Sequence, residues 1–171
     1  GDTVRAESLW ASLESAYRVD GDDAALQRAL GERALLLINR AQSPAQTEAD
    51  ALLLDRAAHL LDEQEACCRR IGDRVGLAAC IGNRAIVQRY RGDLPGSLSS
   101  LDEQLALATE TGNAQGWLIA MANRGEVLGL LGRRDEALDA LRRARDTAAG
   151  YGPTLQPMVQ QVTAPVMIDS T

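Results

Sequence analysis

The sequence predicts an all-α fold built as a solenoid of stacked two-helix units. Three observations lead there. Residues 72–111 are written again as residues 112–151. At an offset of 40 the matches are Gly72/Gly112, Gly76/Gly116, Asn83/Asn123, Arg84/Arg124, Val87/Val127, Gly92/Gly132, Leu98/Leu138, Leu101/Leu141 and Ala108/Ala148. They fall where a repeat array needs them: Gly at unit boundaries, Gly between two helical segments, and Leu three apart inside the second segment. Second, Ala, Leu, Arg, Glu and Asp dominate, Phe is absent and aromatics make up 3%, a helical composition. Third, few stretches alternate β-branched residues with polar ones, so strand signals are nearly missing.

Residues 3–18 open the chain as an amphipathic helix, with Ala6, Leu9, Trp10, Leu13, Ala16 and Tyr17 at three- and four-residue spacing. Gly21 ends it, and Asp22 or Asp23 caps the next helix. The acidic cluster around Gly21 lacks the remaining ligand spacing of a Ca²⁺ loop, including the distal Glu. Residues 23–40 form the second helix, with Ala25, Leu26, Ala29, Leu30, Ala34, Leu37 and Ile38 as its apolar face. Ser43-Pro44 breaks the pattern. A long helix over 48–70 follows, with Leu52, Leu53, Ala57, Leu60, Leu61 and Cys68 apolar. Four more helices are predicted at 73–91, 94–110, 113–131 and 134–149.

The earlier hairpin belongs to the same series. Leu61-Asp62-Glu63-Gln64 recurs as Leu101-Asp102-Glu103-Gln104, and Arg33-Ala34 as Arg84-Ala85 at an offset of 51. The difference places an eleven-residue insertion around the Ser43-Pro44 break. Ala6, Ala57, Ser97 and Ala137 become equivalent, as do the boundary residues Gly21, Gly72, Gly112 and Gly152. The predicted domain spans 3–152: a half repeat over 3–20, a repeat with the insertion over 21–71, and repeats over 72–111 and 112–151. Residues 153–171 carry Pro153, Pro157 and Pro165, which forbid a long helix. That tail reads as a cap or a groove filler, with a short helical turn near 158–162.

A formal net charge of -6 and a pI near 4.8 argue against nucleic acid, which needs a basic footprint. No apolar stretch has the length of a membrane span. Cys67, Cys68 and Cys80 are an odd set with two adjacent members, read as buried helical thiols in a reducing, cytoplasmic setting. The chain opens on Gly1 rather than Met, which reads as a piece of a longer protein. No catalytic constellation is legible, so the expectation is a non-enzyme without cofactor or metal. His59 is the sole histidine, two or more helical turns from Cys67 and Cys68. Lysine is absent, and with it any phosphate-binding Gly-Lys-Ser/Thr loop.

The Asn-Arg-small elements (Asn83-Arg84-Ala85 and Asn123-Arg124-Gly125), a Gly seven residues later (Gly92, Gly132) and the turn Gly132-Arg133-Arg134-Asp135-Glu136-Ala137-Leu138 resemble the tetratricopeptide repeat family. Trp10, Leu61, Leu101 and Leu141 stand four residues after the small second-helix position, where that family places a large apolar residue. The 40-residue unit is similar to the longer repeats of kinesin light chains and bacterial regulatory proteins. Three departures stand out: Gly-bounded turns replace the closing Pro, the first-helix aromatic is missing apart from nearby Trp117, and the first full repeat has Gly31-Glu32-Arg33 without Asn.

The resemblance implies a right-handed superhelix whose first helices line a concave face. It implies a peptide-binding scaffold, with Asn83 and Asn123 bonding the main chain of an extended segment, since a carboxamide both donates and accepts. Glu32, Ile86, Arg89, Tyr90, Glu126 and Leu130 would set groove character. A structural helix–helix bond is the other reading of the two asparagines. The carboxylate clamp of that family needs Lys where this chain has Gly82 and Ala122, so a chaperone tail is not the expected partner. First helices carry Arg28, Arg33, Arg40, Arg74, Arg84, Arg89, Arg91 and Arg124 while second helices carry many acids; this is read either as ordinary solvated faces with pairs inside each helix or as a groove less negative than the outside, suited to a mixed or acidic partner. The expected partner is a protein or peptide segment. The alternatives are a regulatory region of a larger signalling protein and a homodimer formed by stacking.

Overall fold

The computed structural model describes residues 2–41 and 47–150. These form seven α-helices and no strand: α1 (Asp2–Asp20), α2 (Asp23–Arg40), α3 (Glu48–Ile71), α4 (Arg74–Tyr90), α5 (Leu94–Glu110), α6 (Ala114–Leu130) and α7 (Arg134–Gly150). Boundaries agree with the sequence reading to within about two residues, because side chains specify them. Asp22, Asp73, Asp93 and Asn113 each stand before a helix and accept from a backbone N–H three residues on, satisfying a donor that the helix cannot. Thr47 and Asp50 cap each other reciprocally at the start of α3. Gly72 and Gly112 take left-handed backbone, at φ 72° and 64°, where a side chain would be strained. Gly152, residues 42–46 and the tail expectations lie outside the described residues.

Each helix packs on the next in the chain. Beyond that, α2 packs on α4 and α4 on α6, while α1, α3, α5 and α7 make no comparable packing with one another. The core is therefore a row of linked clusters. One joins Ala34, Leu37, Ile38, Leu61, Cys80 and Val87 across α2, α3 and α4. Another joins Leu118, Met121, Leu128 and the alanine face of α7. Of the four residues aligned by the offsets, Ala57, Ser97 and Ala137 are buried and Ala6 is half-buried; Ser97 donates its hydroxyl to the Ala85 carbonyl at 2.8 Å. Leu61 and Leu101 are fully buried, each stabilising by about 2 kcal/mol.

Two apolar faces need correction. Leu9 is 63% and Leu52 61% exposed, and Ala16 is exposed too. Periodicity placed them on a stripe, but no described element covers that part of α1 or α3. No described helix is long and apolar enough to cross a membrane.

Candidate functional site

Three arginines at equivalent sequence positions each staple a helix to the one before it. Arg33 pairs with Glu14, Arg84 with Glu65, and Arg124 with Asp102. Glu14 and Glu65 are equivalent at the 51-residue offset, and Leu105 takes that place one unit later. Arg124 therefore uses Asp102, the equivalent of Asp62, which Arg84 also reaches at 3.4 Å. Burial alone would raise the Glu65 carboxyl, but the guanidinium groups of Arg69 and Arg84 outweigh it and hold it below its ordinary value.

The other first-helix arginines are also mostly paired. Arg40 and Arg74 bind Glu7 and Glu110, Arg89 binds Glu126, and Arg91 binds Asp55. Of the first-helix arginines, Arg28 is the one without an ion-pair partner among the described residues. First-helix charge is thus spent on joining helices.

A cavity of about 770 Å³ opens between α1, α2, α3 and the start of α4. Trp10 and Tyr17 line it from α1; Arg28, Gly31, Glu32 and Leu35 from α2. Gln64 of α3, Val75, Ala79 and Asn83 complete it. Asn83 thus sits on a cavity wall, half-buried. The other expected site residues divide. Ile86 and Tyr90 pack partly buried on the α2–α4 cluster. Arg89 lies over the Tyr90 ring at 4.7 Å and reaches across to Glu126 of α6. Asn123 is half-buried outside this cavity, and Leu130 is 59% exposed. The seven are strung along α4 and α6 and do not converge on one pocket.

The sequence reading missed Gln64 and its glycine. Gln64 and Gln104 are equivalent and each only 4% exposed. Each fills the space left by a missing side chain: a Cβ at Gly31 would lie 2.6 Å from Gln64 Nε2, and one at Gly82 2.5 Å from Gln104 Nε2. In the last unit the pair becomes Ala122 and Ala144, so the glycine disappears together with the glutamine. The signal was present as compensation between positions, which a search for identities passes over.

The three thiols are buried and free. Burial pushes Cys68 up to about 11 and Cys80 up to about 12, which removes the thiolate that nucleophilic chemistry needs. Among the described residues no group of three or more His, Cys, Asp or Glu is placed to hold a metal, and His59 is exposed.

No family model matches this sequence, and no curated protein matches it.

Proposed function

We propose that the chain is a tetratricopeptide-like, right-handed α-solenoid that binds an extended segment of another protein along the face formed by α2, α4 and α6. The observation that carries the reading is the cavity beside α2 and α4, with the Asn83 carboxamide on its wall. Two features support the solenoid itself. Even-numbered helices pack in succession, whereas odd-numbered ones pack less extensively with one another, α1 and α3 meeting through the Arg18–Glu63 and Glu7–Arg56 ion pairs, as in an array curved toward its first helices. The equivalent Arg33, Arg84 and Arg124 each bind the preceding second helix, as stacked copies of one unit would. Docking an extended segment there follows from main-chain recognition by a carboxamide.

The test is selection of displayed random peptides on the protein, followed by calorimetry of enriched sequences on wild type and Asn83→Ala. Loss of one bond of about 1 kcal/mol is expected to weaken binding about fivefold. Failure to enrich any sequence, or affinities unmoved by Asn83→Ala, overturns the reading. Self-association is a second reading, favoured by the exposure of Leu9, Leu52 and Leu130. Light scattering at high concentration separates the two, since a strict monomer ends the second.

A further inference from the structure

The cavity holds a line of side-chain hydrogen bonds whose direction is fixed. Asp73 accepts from the Gly76 N–H as the cap of α4. Gln27 therefore turns its Nε2 to Asp73 Oδ2, at 3.0 Å. That leaves Gln27 Oε1 to accept from Gln64 Nε2 at 3.2 Å and from the Cys68 thiol at 3.6 Å. The line ends on Gln64 Oε1, an acceptor with no partner among the described residues. A buried polar atom left unpaired is costly, so a donor arriving here is favoured. Gln104 carries the same unpartnered oxygen but lies off this cavity. At the positions equivalent to Gln27 and Cys68 the next unit has Ala78 and Ala108. The polar line is therefore not repeated between α4 and α5.

Beside it, Arg28 and Glu32 stand one turn apart on the cavity wall. They are spaced to pair with each other, yet neither has an ion-pair partner among the described residues. Gln64 packs over Gly31, next to Glu32. Trp10 and Tyr17 add aromatic surface, on which a cation is held favourably. The rise between Arg28 and Glu32 along a helix is about 6 Å. Side chains two apart on an extended chain are about 6.5 Å apart.

Resting on the peptide-binding reading, we infer that this cavity takes an extended segment carrying a basic and an acidic side chain two residues apart. The basic group sits against Glu32 and Gln64 Oε1, and the acidic group against Arg28.

Two blocked pentapeptides test this, one with aspartate, serine and arginine at its centre and one with the reverse order. Trp10 fluorescence in a Trp117→Phe variant reads binding up to about millimolar peptide. One order is expected to bind saturably. Citrulline for arginine, or asparagine for aspartate, is expected to weaken it about tenfold. Glu32→Gln removes only the arginine preference and Arg28→Gln only the aspartate preference. Both side chains are exposed, so the variants keep the fold. Gln64→Leu weakens binding while Gln104→Leu, the same change one unit on, does not. Equal binding of charged and neutral peptides, or binding blind to Glu32→Gln and Arg28→Gln, overturns the inference and leaves the groove reading standing if Asn83→Ala still weakens capture. Binding of neither pentapeptide overturns the inference outright, and the peptide selection then decides the groove reading separately.

Discussion

Gly82 and Gln104 compete for one volume. A methyl group at Gly82 would meet three atoms of the Gln104 amide at 2.5–2.7 Å, and that side chain is buried, with little room to swing. A double-mutant cycle isolates the clash, because the helix-propensity gain of Gly→Ala cancels within it. Gly82→Ala is expected to be more favourable by about 1 kcal/mol or more in a Gln104→Ala background than in wild type, read from urea denaturation. Additivity would refute the shared volume. The thiols give a second residue-scale expectation. Cys68 and Cys80 lie above the ordinary thiol value of 9.0, so below about pH 9 both folded and unfolded chains keep their protons. Above it the unfolded chain ionises first and stability falls through the folded values. The urea midpoint should decline between pH 9 and pH 11, less so in Cys68→Ala/Cys80→Ala. At this scale the sequence displayed Gly31 with Gln64, Gly82 with Gln104 and Ala122 with Ala144. Their meaning depended on knowing that the two positions touch.

Helix limits were legible because each is a local chemical event. The aspartates before α2, α4 and α5 answer a free N–H in the first turn, and a reader of the sequence meets them directly. Their strength is also separable. Asp93 caps α5 and makes no second side-chain hydrogen bond among the described residues, so Asp93→Ala should cost about 1 kcal/mol. Asp73 caps α4 and also accepts from Gln27. Asp73→Ala leaves the buried Gln27 amide without its acceptor and should cost about 2 kcal/mol or more. Equal losses in chemical denaturation would mean that the Gln27 bond contributes nothing. What an element buries was less legible than where it ends. Leu9 and Leu52 obey helical periodicity and are exposed, since spacing names a face without naming what covers it. Likewise Asn83 was readable as a motif residue, but the cavity beside it depends on how α1 lies against α2.

Across the molecule, stability is passed from neighbour to neighbour. Part of it is electrostatic. Glu65 is held below its ordinary value of 4.5 despite burial, so its contribution is present above about pH 4.5 and is lost as pH falls through the folded value. Arg84→Met removes one of its two cations, and stability should then fall less steeply between pH 5 and pH 3 than in wild type. The rest is packing, most of it between chain neighbours and along the succession α2, α4, α6. Leu141 is buried on α7 and would meet a methyl group on Gly125 of α6 at 2.9 Å. Leu141→Ala should cost about 2–5 kcal/mol of local packing. That loss should stay near α7, because the extensive packing of α7 is on α6. Hydrogen exchange is therefore expected to show α6 and α7 losing protection while α2 and α3 keep theirs. A uniform loss along all seven helices would mean that the chain opens as one cooperative unit, and the neighbour-only account of its stability would have to be abandoned.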